Sequence, residues 1–138
     1  MAPLNVLDQN MQLLGKVLDL RATKAQVISS NIANAETPGF SPSHFQFEED
    51  LANAIGHTKG IALQTTDKAH IGIGPGNFNS VNGKIIMDKE QSGIGDDNNV
   101  SVDQEMMDLS ENELLYETSA QLLKKKITGL KHVISGGQ

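Results

Sequence analysis

Apolar residues at Leu4, Leu7, Met11, Leu14, Leu18, Ala25, Ile28, Ile32 and Ala35 recur at alternating spacings of three and four, with Arg21 as the one break. A spacing that averages three and a half residues holds one stripe on one side of an α-helix and cannot stay on one face of a strand. The segment is therefore expected to form a single long helix with an apolar seam, roughly 48 Å from position 4 to 35 at 1.5 Å per residue. Thr37-Pro38-Gly39 ends it. Pro38 drives Thr37 out of the α region and donates no backbone hydrogen bond, and Gly39 accepts the positive φ of a type II turn.

The C-terminal stretch repeats the pattern with Val102, Met106, Leu109, Tyr116, Ala120, Leu123, Ile127, Leu130 and Ile134, broken once at Glu113. Ser101 is placed to cap this second helix, with Gln104 three residues on. Acids crowd its first turns (Asp103, Glu105, Asp108) and Lys124, Lys125, Lys126 and Lys131 lie toward its end, before Gly136-Gly137 closes it. The expected fold is mainly α: long N- and C-terminal amphipathic helices packed as an antiparallel coiled coil around a small irregular middle segment with a β-hairpin. The boundaries expected are residues 1–36, 37–99 and 100–138. If Ala35 lies near Val102, the same register sets Arg21 opposite Tyr116, one turn from Glu113, so Arg21 and Glu113 either pair and fix the register or stand as two independent charges facing solvent or a neighbouring subunit.

The middle differs in composition. Residues 41–99 hold 8 of the 13 Gly and carry eight acids against four bases. Phe45, Phe47, Leu51 and Ile55 have the spacing of a short amphipathic turn or helix, and Ile61 to Thr66 reads weakly as a strand. Asn79-Ser80-Val81 and Lys84-Ile85-Ile86-Met87 flank Asn82-Gly83, a pair that favours the type I′ turn of a two-residue hairpin. The stretch 91–99 reads as a mobile loop.

Composition narrows the function. A chain of 138 residues that is 38% hydrophobic, with no Trp, one Tyr and four Phe, has little material for a large enzyme cleft. A net charge of -6 is the wrong sign for tracking phosphates, so nucleic acid is not an expected partner. The absence of Cys excludes disulfides, thiolate metal sites and Cys nucleophiles. Residues 1–20 carry no basic stretch followed by a continuous apolar run, so no cleaved signal peptide is expected. No run of about eighteen apolar residues suggests a membrane-spanning helix.

No constellation carries chemistry. Gly72, Gly74 and Gly76 match neither the dinucleotide fingerprint nor the Walker loop. His44, His57, His70 and His132 have no ligand spacing, and Asp96-Asp97-Asn98-Asn99 lacks the Gly and Glu offsets of a calcium loop. Glu48-Glu49-Asp50 are adjacent and point apart. Neither catalysis, a cofactor, a metal nor a small-molecule substrate is expected. Leu13, Val17, Leu20 and Val27 on the first helix, with Leu114, Leu115 and Leu122 on the second, widen the apolar faces beyond one two-stranded contact. Either other chains or the middle segment must cover them.

Ser29-Ser30-Asn31-Ile32-Ala33-Asn34-Ala35-Glu36-Thr37-Pro38-Gly39-Phe40 resembles the S-x-N-[IL]-A-N-x-x-T-P-G-[YF] signature of bacterial flagellar axial proteins of the rod and hook, with Ser30, Asn31, Ala33, Asn34, Thr37, Pro38, Gly39 and Phe40 as the motif positions. Residues 98–107 and 111–116 are similar to the C-terminal region of the short proximal-rod members, Thr66 to His70 resembles their Thr-x-x-x-His element, and residues 121–130 their last helix. The resemblance implies a structural subunit that passes unfolded through the flagellar type III export apparatus without a cleaved signal. It then polymerises, with itself and other rod proteins, on a membrane-ring protein or its adapter into a periplasmic tube. Phe47 and Leu51 match the short Phe-x-x-x-hydrophobic element associated with the export gate, and equally match two residues packed on one helical face. A different class remains open, a discrete soluble helical adaptor or chaperone of a secretion system, as does another short rod subunit.

Overall fold

The computed structural model describes residues 2–56, 77–88 and 100–136, with residues 2–8 by backbone alone. Along these residues the order is α1 (Ala2–Ala33), β1 (Ser43–Gln46), α2 (Glu48–Gly56), a 3-10 turn (Phe78–Ser80), β2 (Lys84–Met87) and α3 (Val102–Ile134). None of these helices is long and apolar enough to cross a membrane. The readings of Ile61 to Thr66, Gly72, Gly74, Gly76, His57, His70, residues 91–99 and the Asp96 to Asn99 cluster lie outside the described residues.

The two long helices form as their periodicity predicts and pack against each other. Asn31 on α1 contacts Glu105 on α3, while Arg21, ten residues earlier, contacts Asn112, seven residues later. The helices therefore run antiparallel. Arg21 meets α3 one turn before Tyr116, the position opposite which the apolar register sets it.

α1 ends at Ala33, ahead of Thr37-Pro38-Gly39 and short of Ala35, which the expected helix included. Ala35 N–H and Thr37 N–H donate to the carbonyls of Ile32 and Asn34, and Phe40 N–H to Thr37 O at 3.2 Å, closing a turn with Gly39 at φ +72°. That turn redirects the chain into β1. Ser101 holds the N-cap position of α3 with extended backbone, but its hydroxyl makes no capping bond; Gln104 instead bonds Asp108 at 2.9 Å. At the far end Gly136 adopts φ +73°.

The two-stranded sheet differs from a hairpin closed at Asn82-Gly83. β2 forms at Lys84–Met87 as expected, yet it pairs antiparallel with β1, forty residues away, with Ser43 opposite Met87 and Gln46 opposite Lys84. Residues 78–80 coil into the 3-10 turn instead of a partner strand. The physical reason lies in Phe45. Its ring lies against the backbone of Gly83, where a Cβ would collide with it, and Gly83 takes φ +71°. The glycine serves a close approach between distant segments, which its local sequence cannot reveal.

The apolar core joins α1 to the middle segment. Leu20, Phe45, Phe47, Leu51, Ala54 and Val81 are buried together, with Leu13, Val17, Val27 and Phe78 against them. Burying each large apolar side chain contributes about 1.5–3 kcal/mol. The flanking stripe Leu13, Val17, Leu20 and Val27 thus covers the middle segment of its own chain. α3 adds no member to this core.

Candidate assembly surface and the polar ties behind it

The face that α3 turns toward α1 is largely polar. Glu105 and Asn112 are its buried residues, and Ser119 and Lys126 continue the same seven-residue column half-buried. Leu109, Ala120, Leu123 and Leu130 of the predicted seam are half-buried. Val102, Met106, Tyr116, Ile127 and Ile134 are exposed, so the predicted C-terminal seam corresponds only in part to the intrachain contact. Its remainder is exposed, as are Met107, Leu114, Leu115 and Leu122, which lie on another side of the helix. On α1 the position is different: Ile28 is buried and Met11, Leu14, Leu18, Ala25 and Ile32 are half-buried. The side chains of Leu4 and Leu7 lie outside the described residues.

Asn31, only 1% exposed, ties three elements together. Its Nδ2 donates to Ser43 O at 2.8 Å and to Glu105 Oε1 at 3.1 Å, and its Oδ1 accepts the Ser43 N–H at 3.0 Å. An amide has the donors and acceptor that one backbone residue offers, so Asn31 pairs with Ser43 much as a neighbouring strand would, with one donor left for α3. The signature asparagine thereby holds the start of β1 beside α1. Asn34 donates from Nδ2 to Ser30 O at 2.8 Å and accepts from the Thr37 hydroxyl at 3.4 Å, satisfying groups at the helix end. Ser30, Ala33, Thr37, Pro38 and Gly39 are exposed and Phe40 is half-buried, so these motif positions shape the turn or face outward.

Arg21 does reach α3, through Asn112 and not through Glu113. Its Nη1 donates to Asn112 Oδ1 at 3.2 Å, and Asn112 Nδ2 donates to Arg21 O at 2.9 Å. Glu113 is exposed. Successive residues on a helix diverge by about 100°, so the shift of one position turns a solvent charge into a buried amide. The Arg21 guanidinium also lies 3.6 Å from Glu48 Oε1 and over the Phe47 ring, its Cζ 5.1 Å from the centroid. Lys24 donates to the same Glu48 oxygen. Burial pulls the Glu48 carboxyl upward, but hydrogen bonds from Lys24 and from the Glu48 and Phe47 backbone, together with the Lys24 charge, hold it below the ordinary glutamate value.

Phe47 and Leu51 are both buried, with Leu51 N–H donating to Phe47 O at 2.9 Å across the first turn of α2. In the folded chain the pair serves the core. His44 is exposed in β1 and bonds Asp88 at 3.1 Å, and His132 is exposed near the end of α3. Three residues central to the ties, Glu105, Asn112 and Ser43, escape a search restricted to apolar periodicity. The available sign was polar: Glu105, Asn112, Ser119 and Lys126 share the seven-residue repeat of the seam beside them.

Residues 18–40, which span the Arg21 and Asn31 ties and the exit turn, match a family model described as flagella basal body rod protein. Over nearly the whole chain there is similarity to proteins named flagellar basal body rod protein FlgB. That of Aeromonas hydrophila is 37% identical over 124 residues, covering 88% of this chain and 89% of the relative. The Cereibacter sphaeroides protein is 35% identical over 121 residues, covering 88% and 90%. The Salmonella typhimurium protein is 28% identical over 138 residues, covering 97% and 99%.

Proposed function

Because this chain belongs to the family of flagellar basal body rod proteins, we propose that it is a structural subunit of the proximal rod, built into the basal body by packing its terminal helices against neighbouring subunits. The observation that carries the reading is the exposure of large apolar side chains along α3, with Met107 66% and Leu114 65% exposed, while Leu13, Val17, Leu20 and Val27 of α1 pack on the middle segment. Apolar side chains exposed in this way on a long helix await contact with other chains.

The family is a structural one, and the mechanism is mechanical. A shaft transmits torque through packed helices, and its stiffness follows from apolar area buried between subunits, at roughly 25 cal/mol per Å². The Asn31 and Arg21 ties serve this by fixing α1, α3 and the middle segment as one body, so that load on one helix is passed to the other. The expected neighbours are further copies, other rod proteins and, at the base, a membrane-ring protein or its adapter. Passage through the flagellar export apparatus would present Phe47 and Leu51 only while the chain is unfolded, since both are buried when it folds.

Deletion of the gene in its host tests the assignment. Loss of swimming and of rods, with membrane rings intact by electron microscopy and restored by the wild-type gene, is the expected result; normal basal bodies would overturn it and leave the discrete helical adaptor. For export, Phe47→Leu keeps the core filled while removing the ring. Unchanged secretion of that variant would assign Phe47 to packing alone.

A further inference from the structure

The charges along α3 are segregated by sign far from the helix ends. Glu111, Glu113 and Glu117 occupy its first half and are exposed; Lys124 and Lys125 occupy its second half and are exposed. Helix-dipole compensation accounts for acids in the first turn and bases in the last, an effect that fades within one turn. Glu111 lies nine residues inside the N-terminus and Lys125 nine inside the C-terminus. Among the described residues none of these five makes an ion pair within the chain. Glu113 and Glu117, four apart, repel each other on an isolated helix. Within the chain Glu117 accepts a hydrogen bond from Gln121 at 3.4 Å and Glu111 borders the cleft that holds Arg21 and Lys24, while Glu113, Lys124 and Lys125 have no ion pair among the described residues.

The segregation becomes favourable against a second copy. Two α3 helices side by side with the same polarity and no offset would set glutamates on glutamates and lysines on lysines. Displaced along the axis by about twelve residues, roughly 18 Å, Glu113 of one lies level with Lys125 of the next and the acidic stretch meets the lysines. Exposed apolar residues occur in both halves, among them Met107 and Leu114 in the first and Leu122 and Ile127 in the second, so the offset copies still bury apolar surface. We propose that α3 docks on α3 of a second copy with shared polarity and an offset of about 18 Å, roughly a third of the helix. Such a contact is heterologous: each copy retains a free acidic half at one end and a free lysine half at the other, so it propagates, whereas a two-fold pair closes on itself. The proposal rests on the rod reading in choosing shared polarity.

The chain has no Cys, so introduced thiols report unambiguously. In cells assembling rods from Glu113→Cys and Lys125→Cys copies, disulfide cross-links between the two variants are expected, and none when either is the sole copy. Self-linking of Glu113→Cys alone would mean unstaggered helices, and self-linking of Thr118→Cys a two-fold antiparallel pair; either overturns the proposal while leaving a rod subunit. Rods from a wild-type control that contain none of this chain would overturn the rod reading itself. Lys124→Glu with Lys125→Glu should weaken assembly of the full chain roughly tenfold. Adding Glu113→Lys with Glu117→Lys to the same chain should restore it, with circular dichroism confirming that each variant is helical. Failure of the fourfold reversal to restore assembly would also overturn the proposal.

Discussion

Asn31 and Glu105 meet at 3.1 Å in a buried contact between α1 and α3, with the same asparagine amide paired to both backbone groups of Ser43. Asn31→Ala strands the Ser43 N–H and carbonyl and a Glu105 oxygen in an interior that exposes only 6% of Glu105. The expected loss is about 3 kcal/mol, since each buried group left unpaired costs about 1–3 kcal/mol before partial relaxation. A urea midpoint shift at unchanged m-value measures it. Asn31→Asp should be worse, because it sets a carboxylate against Glu105 and the Ser43 carbonyl.

Arg21 and Asn112 exchange two hydrogen bonds, whereas Glu113 faces outward. Asn112→Ala is expected to cost about 1–3 kcal/mol and Glu113→Ala less than about 0.5 kcal/mol. A double-mutant cycle with Arg21→Ala should give coupling for Asn112 and none for Glu113.

Gly39 and Gly83 both adopt positive φ, but only Gly83 has a ring against it. Gly39→Ala is expected to cost about 1 kcal/mol, the conformational term alone. Gly83→Ala adds overpacking against Phe45, for a total of about 2–4 kcal/mol. Combining Gly83→Ala with Phe45→Leu should cost less than the two separately, a deficit readable by thermal or urea unfolding.

Glu48 titrates lower in the folded chain than unfolded, so the unfolded chain takes up its proton first as pH falls. Its contribution is fully present above the ordinary value of 4.5 and is lost as pH drops through the depressed folded value. With the side chain 45% exposed, screening keeps the effect below about 1 kcal/mol. The stability difference between wild type and Glu48→Gln should be full at pH 7 and shrink as pH falls below 4.5; a difference that does not change with pH would remove Glu48 as the cause.

Much of this molecule is legible in one dimension. The heptad stripe in residues 4–35 needs nothing but the helix period, and Thr37-Pro38-Gly39 needs nothing but the allowed dihedrals of proline and glycine, so the long helices and the exit turn follow from local rules. The signature Asn31 to Phe40 likewise points to its family without any coordinates.

What faces what was decided in three dimensions. Period alone marks an apolar stripe but does not name its partner, and α1 turned Leu13, Val17, Leu20 and Val27 to Phe45, Phe47 and Leu51 of its own chain while packing along α3 as well. Gly83 was bound to Phe45 and β2 to β1 across forty residues, where the adjacent Asn82-Gly83 had suggested a local hairpin. The register between the helices went to Asn112 in place of Glu113, because hydrogen bonding depends on the direction of one side chain and a single position turns it by about 100°. Sequence alone determined which segments are helical and where they stop, since those depend on backbone energetics within a few residues. Tertiary structure decided the pairing, since burying apolar area and satisfying every interior polar group are conditions that only distant segments can meet together.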